Sequence, residues 1–438
     1  MEVPKQIHYH QLEEVLLSTY SEPESKTPAR LIGLWFLAAI IEGVDLQSAG
    51  IAGPGIKAEF GYGPAQMGWI FSASMFGLVL GALIGGRLAD FYGRKPILTA
   101  SVAAFGLFSV ATAHGWDLPS LLLFRVLTGL GLGGAVPNLI ALAAESTAPR
   151  RRNSIIGLMY CGMPLGSALV AVIGWFGLGS FGWRMVFYAG GFIPLLVVPL
   201  LIFYLPESPQ FFKHRTKTTP QSYGAKSATV QVLFGESRWG MTLALWFSSF
   251  CTYFVLYLLL NWLPSLLANK GYSGRGASAV MIVVNLGSVL GILAGGILMD
   301  RLRHIYVIIG IYGCLLVALI SLSNAQEQAL ILSTAFASTL CLAASQMIQY
   351  CLAPACYPVN ARGTGVGAMV GVGRTGSIAG PLTAGQLLAA GAAASVVLSA
   401  GVPGLIASAI ALLAARAGRS DLNVEGSRSD DRTLSHGK

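Results

Sequence analysis

Glu42 and Asp45 are two carboxylates inside the apolar stretch 31–51, and of the chain's 19 acidic residues only these two fall well within such a stretch. A charge at bilayer depth costs roughly 2.5–3.5 kcal/mol on insertion scales, so such a residue faces a water-filled path or a partner. Three residues apart, the two acids share one helical face. Burial favours a protonated carboxyl, and a nearby cation favours an ionised one. A group held between these influences can take a proton from one side of a membrane and release it to the other. The alternative reading is a structural acid neutralised by a permanent partner.

Arg125 is the candidate partner. It lies about two turns into the apolar stretch 118–142, at the depth expected of Asp45. A pair there is either a fixed bridge or a switch that opens on protonation, and both readings stand at this level. Arg374 is the second buried cation, set in GVGRTGSIAGP at 371–381, near the middle of the stretch 364–389. The second half of the chain has no comparably buried acid. A guanidinium facing a cavity is a ready site for a carboxylate, because its fork pairs bidentately with one. A bridge to an acid of the first half, or to helix-end carbonyls, is the competing reading.

Phe250, Tyr253, Phe254, Tyr257 and Asn261 recur at spacings of three and four, which makes one aromatic face with a polar end. Tyr253 and Tyr257 are candidates for stacking on a ring-bearing substrate and bonding its polar groups; packing against neighbouring helices is the alternative. Asn138, Tyr160, Asn285, Gln346 and Gln349 are further polar groups in apolar stretches. Each reads as a helix–helix hydrogen bond or a ligand contact. Asn138 and Gln349 join the substrate-binding candidates.

These residues need membrane helices to position them. The chain has 438 residues, 54% hydrophobic and 11% charged, against about 25% charged in soluble domains. Apolar windows long enough to span a bilayer recur along it. They predict an all-α membrane protein with twelve transmembrane helices, at 30–52, 66–86, 96–114, 118–142, 153–174, 183–204, 240–263, 276–298, 304–323, 328–352, 364–389 and 393–415. The 54 glycines suit close helix packing. If the N-terminus is inside, inner loops carry fourteen Lys and Arg and outer loops four, which predicts that both termini are cytoplasmic. The net charge of +9 resides in short loops and implies no nucleic-acid partner. The six cysteines form no C-x-x-C pair, so neither a disulfide framework nor a zinc or other metal site is indicated.

The domain reading is a polar cytoplasmic tail at 1–29, a six-helix bundle at 30–204, a cytoplasmic linker at 205–239, a second six-helix bundle at 240–415 and a disordered tail at 416–438. The tail at 1–29 lacks the basic start and apolar core of a cleaved signal peptide. The halves repeat. GGRLADFYGRKP at 85–96 aligns with GGILMDRLRHIY at 295–306, and at the same offset Arg152 falls on Arg362 and Gly157 on Gly367. Parallel six-helix halves with a site at their interface are the architecture of the major facilitator superfamily, and the G-x-L-A-D-x-x-G-R-K loop resembles its best-known signature.

A narrower resemblance follows from EGVDLQSAGIA at 42–52, QMGWIFSASMFGLV at 66–79, AVPNLIALAAES at 135–146, LMYCGMPLGSAL at 158–169, NWLP at 261–264 and RGTGVGAMVGVGRTG at 362–376. These segments resemble the aromatic acid:proton symporter family over residues 30–415. Many members have D-G-x-D in the first motif, where this chain has Glu42. The resemblance implies functional positions at Glu42, Asp45 and Arg374. It also implies a gating loop that latches the halves together on the cytoplasmic side when the protein opens outward, in which Asp90 faces the start of the eleventh helix and Arg94 joins Glu145. The second copy of that loop keeps Asp300 but has Arg303 and His304 in place of Gly93 and Arg94.

The resulting expectation is a proton-coupled symporter in a bacterial inner membrane. It would import 3-(3-hydroxyphenyl)propionate or a related hydroxylated aromatic acid by alternating access. It would act as a monomer with the proton as coupling ion and no other cofactor. Two other classes remain at this level: a proton antiporter that exports organic anions, and a membrane sensor that kept the fold without transport. No nucleotide-phosphate loop, metal cluster or nucleophile–base motif supports an enzyme.

Overall fold

A computed structural model describes residues 28–145, 147, 149–207, 233–235, 239–357 and 362–414. The expected tails lie outside these residues almost entirely, and so does most of the expected linker. Twelve helices are present among the described residues. They are α1 (Ala29–Phe60), α2 (Pro64–Tyr92), α3 (Arg94–Ala113), α4 (Leu118–Glu145), α5 (Pro149–Phe181), α6 (Arg184–Tyr204), α7 (Trp239–Asn269), α8 (Gly274–Arg301), α9 (His304–Asn324), α10 (Gln328–Cys356), α11 (Arg362–Ala389) and α12, which begins at Ala394–Ser399. After a break at Ala400 and Gly401, α12 resumes and completes a span to Ala414. Ten of the twelve are long and apolar enough to cross a membrane. The other two are α1, with Glu42 and Asp45, and α11, with Arg374.

Several helices run past their expected ends. α1 continues eight residues beyond 52, through Pro54, and stops at Gly61, whose φ of 67° closes the helix. α7 likewise passes through Pro264 to Asn269, and α5 extends at both ends to Pro149–Phe181. In a membrane bundle a proline within a helix is tolerated, because neighbouring groups satisfy the freed carbonyl. Helix starts follow local capping chemistry. The Ser120 N–H donates to Asp117 Oδ1 (2.9 Å) where α4 begins, and Ser273 Oγ accepts from the Gly276 N–H at the head of α8.

The repeat seen in one loop extends to the whole fold. Ala29, Pro64, Arg94, Leu118 and Arg184 begin helices, and 210 residues later so do Trp239, Gly274, His304, Gln328 and Ala394. Packing repeats as well. Gly77, Gly81 and Gly85 of α2 lie against the backbone of α4 at Val126, Leu130 and Gly134. Gly287, Gly291 and Gly295 of α8 lie against α10 at the matching Phe336, Leu340 and Ala344. A glycine every fourth residue clears one side of a helix, so two backbones approach more closely than any side chain would permit.

The two bundles, α1–α6 and α7–α12, meet mainly through three helix pairs: α1 with α7, α2 with α11, and α5 with α8. These contacts gather toward the end of the molecule that holds Phe60, Pro64 and Gly274. There Gln47 donates to the Leu260 carbonyl (2.8 Å), Ser72 to that of Ile378 (2.9 Å) and the Trp262 indole to that of Pro381 (2.9 Å). Gly68 abuts Pro381 and Gly385, and Gly174 abuts Ser278. Toward the opposite end, which holds Arg94, the bundles part, and Gly157, Gly367 and Gly371 face open space. The molecule is closed at its Pro64 end and open at its Arg94 end.

Candidate functional site

Asp45 and Arg125 meet inside the first bundle, as their depths required. Arg125 Nη1 lies 3.2 Å from Asp45 Oδ1 and 3.4 Å from Oδ2, with the side chains 0–1% exposed. Ser109 Oγ donates to Asp45 Oδ1 (3.3 Å) and to the Phe187 carbonyl (3.2 Å). The guanidinium carbon sits 5.6 Å from the Phe187 ring centroid. One nitrogen therefore serves both carboxylate oxygens, and Arg125 Nε has no hydrogen-bond partner. This is a contact through one corner of the guanidinium and not the paired fork that makes the strongest Arg–carboxylate bridges.

Glu42, one turn away, is in a different situation. It is 3% exposed, yet its Oε1 has no hydrogen-bond partner. It makes no ion pair among the described residues. Arg374, in the other bundle, is the cation that acts on it electrostatically. Glu42 lines a small cleft with Ala39, Val136, Leu139, Ile140, Met159, Tyr160 and Met163.

Tyr160 and Met163 also wall the main cavity, so the cleft adjoins it. The main cavity lies between the bundles and holds about 690 Å³ of empty space, counting space open to solvent. The first bundle supplies Leu46, Tyr160, Met163, Pro164 and Ser167. The second supplies Tyr253, Leu256, Tyr257 and Leu260 from α7, Asn285, Ser288 and Ile292 from α8, Ala343, Gln346 and Tyr350 from α10, and Arg374 from α11. Arg374 is the one charged residue in this lining. Its Nη1 donates to the Tyr257 hydroxyl (3.1 Å), and its guanidinium lies 5.5 Å from the Tyr253 ring centroid. No carboxylate is paired with it among the described residues. The Tyr253 and Tyr257 rings stack at 6.1 Å, the Tyr253 and Tyr350 hydroxyls are 3.1 Å apart, and Tyr350 meets Tyr160 of the other bundle at 5.5 Å. Four tyrosines thus surround one guanidinium. Such a site offers a planar anion charge neutralisation at one end and aromatic faces along its body.

Other expected positions fall elsewhere. Asn138 does not line the cavity; its amide donates to Gly134 O (2.8 Å) and Gly85 O (3.4 Å), which ties α4 to α2 where glycines bring the helices together. Gln349 also points away, donating to Ser248 Oγ (3.0 Å) and Thr252 Oγ1 (2.9 Å) within the second bundle. The aromatic face of α7 divides. Tyr253 and Tyr257 face the cavity, while the Phe250 and Phe254 rings lie against each other at 6.2 Å, their backbone abutting Gly376 and Gly380 of α11. The Asn261 amide is spent on the Tyr257 carbonyl (2.9 Å).

At the Arg94 end, Asp90 and Asp300 are exposed and form no ion pair among the described residues. α2 meets α11 through Ser72 with Ile378 and Gly68 with Pro381, toward the other end of the molecule. Glu145 ends α4, and its side chain lies outside the described residues. Arg94 is engaged through its backbone: the Arg94 and Lys95 N–H groups donate to Glu207 Oε1 (2.9 and 3.1 Å). Glu207, in the segment after α6, thus caps α3 with a negative charge where the helix dipole favours one. Tyr350 and Glu207 had no place in the sequence reading. Tyr350 is four residues from Gln346 on one face of α10, a spacing that was there to be read.

Two six-helix halves of membrane-spanning length, closed at one end around a cavity with a buried cation, define a solute transporter. The family model described as Major Facilitator Superfamily matches residues 35–381 and 245–433. The chain belongs to that family. It is 44% identical over 405 residues to the 3-(3-hydroxy-phenyl)propionate transporter of Escherichia coli strain K12, spanning 92% of this chain and 98% of that protein. It is 33% identical over 421 residues to the 4-hydroxybenzoate transporter PcaK of Pseudomonas aeruginosa, spanning 90% and 94%. Among solved structures, a D-xylose–proton symporter superposes with a TM-score of 0.72 at 18% identity, covering 87% of this chain and 96% of that one, and shares the fold. The chain is a transporter and not an enzyme.

Proposed function

We propose that this chain imports a hydroxylated aromatic monocarboxylate, 3-(3-hydroxyphenyl)propionate or a near relative, together with a proton. The observation that carries the reading is Arg374, which faces the cavity among four tyrosines with no carboxylate paired to it among the described residues. The substrate carboxylate pairs with Arg374 and its ring lies against Tyr253 and Tyr257. The names of the two similar transporters support the same substrate class. The protein sits in a bacterial inner membrane as a monomer, with the basic Arg94 end and both termini in the cytoplasm. The conformation described here is then the inward-facing one, and alternating access reverses which end is closed. The proton is the coupling ion, with no cofactor or metal.

Glu42 is the acid best placed to carry that proton, because its cleft adjoins the cavity and Arg374 acts on it across the bundle boundary. An ionised Glu42 and a substrate carboxylate compete for one cation. A proton on Glu42 leaves Arg374 to the substrate, so the two load together. Asp45, 0% exposed and held by Arg125 and Ser109, serves as the inner bridge of the first bundle.

One proton with one monoanion moves no net charge, so uptake follows the pH gradient. The membrane potential, which acts at about 2.3 kcal/mol per charge per 100 mV, has no net charge to drive. Uptake of labelled 3-(3-hydroxyphenyl)propionate into proteoliposomes tests this. An inward acid gradient should drive accumulation and a potential alone should not. Arg374→Ala should reduce uptake about 10- to 100-fold, the loss of a charged hydrogen-bonded contact. Uptake driven by potential at zero pH gradient, or unaffected by Arg374→Ala, overturns the reading.

A further inference from the structure

The cavity carries a second polar locus that its carboxylate site does not use. Asn285 and Ser288 of α8 and Gln346 of α10 line it on helices other than α7 and α11, which carry Tyr257 and Arg374. Their hydrogen-bonding capacity is partly unspent. The Asn285 amide donates to Met281 O (2.8 Å), which leaves its Oδ1 without a protein donor among the described residues. Ser288 Oγ donates to Val284 O (3.2 Å) and keeps its lone pairs. Gln346 is half-buried, and its side chain makes no hydrogen bond among the described residues. A polar group in such a place normally has a partner.

The repeat tells a structural polar group from a functional one here. The α2–α4 and α8–α10 pairs pack in the same register, glycine for glycine. In the first bundle the positions matching Asn285, Ser288 and Gln346 are Met75, Leu78 and Val136. The same helix packing is therefore built with apolar side chains at all three places. The fold does not require the amides and the hydroxyl, and what remains to explain them is the cavity they face.

We infer that Gln346, Asn285 and Ser288 form a subsite that reads an uncharged hydroxyl on the aromatic ring. The inference rests on the transport reading above and assigns the specificity within it. No charged residue lines this part of the cavity, so it does not suit a second carboxylate or an ammonium group. An amide offers a donor and an acceptor, and the Asn285 Oδ1 offers a further acceptor, which matches a phenolic O–H. A site built to bond a hydroxyl rejects the analogue that lacks it, because its own polar groups are then left unpaired.

The test compares 3-(3-hydroxyphenyl)propionate with 3-phenylpropionate, its deoxy counterpart, in proteoliposomes of the full-length protein. Wild type should favour the hydroxylated acid by about tenfold or more in uptake at limiting concentration. Gln346→Met and Asn285→Leu should each bring that ratio toward one, lowering uptake of the hydroxylated acid more than uptake of 3-phenylpropionate. Gln346→Met, near in size and without a structural bond to lose, serves if Asn285→Leu does not fold. An unchanged ratio in Gln346→Met, or an equal fall for both acids, overturns the subsite and leaves the transport reading standing. Uptake of neither acid by wild type overturns the transport reading and the subsite with it.

Discussion

Glu42 and Asp45 share a helical face and have different surroundings. Asp45 is enclosed with a cation and a hydroxyl, and Glu42 stands beside a cavity with an orphaned oxygen. Glu42→Gln removes the charge and keeps the shape. It should abolish accumulation against a gradient while counterflow of labelled against unlabelled acid continues; loss of both would remove Glu42 from the coupling step. Asp45→Asn strands Arg125 as a buried unpaired charge, which typically costs 3–5 kcal/mol. It should lower the melting temperature in detergent, and Asp45→Asn combined with Arg125→Gln should recover part of that loss. A single variant as stable as wild type would mean the pair is not structural. Both acids, Arg125 and Arg374 were legible in the sequence because a charge within an apolar stretch stands out. Asn138 and Gln349 were legible as polar but not as pointing away from the cavity. Gln346 and Gln349 lie three residues apart on one helix, yet Gln346 lines the cavity and Gln349 bonds Ser248 and Thr252.

The glycine stripes on α2 and α8 set how close the helices stand. A side chain at Gly81 would run into the Leu130 backbone, whereas Gly86, facing open space, has nothing within 4 Å. Gly81→Leu should destabilise the purified protein by at least about 1–3 kcal/mol, the usual scale of overpacking, and Gly86→Ala by far less. Thermal unfolding followed by intrinsic fluorescence distinguishes them, and equal melting temperatures would show that α2 and α4 do not pack through this stripe. The apolar windows located every helix. They placed some ends short: α1 and α7 continue through Pro54 and Pro264, which the surrounding bundle tolerates.

Three helix pairs close the molecule at one end, and their arrangement follows from the repeat: α2 with α11 and α5 with α8 are symmetry-related, and α1 meets its own counterpart α7. Transport by alternating access requires this seal to open. Gly174→Cys with Ser278→Cys, in a background without the native cysteines, places two thiols across the α5–α8 seam. Oxidation should reduce uptake to background and reduction should restore it. Full uptake with the crosslink formed would show that the seam does not open during transport.

The sequence by itself determined the spans, the two-fold repeat, the loop charge pattern and the identity of the buried charges. Each of these is set by local composition or by comparing the chain with itself. Only the tertiary structure decided which polar groups face the cavity, that Arg125 pairs with Asp45 while Glu42 Oε1 is left without a partner, and that Tyr160 and Tyr350 meet. Spacing fixes which residues share a face of one helix. The direction that face points depends on how neighbouring helices dock against it, through glycines and carbonyls hundreds of residues away.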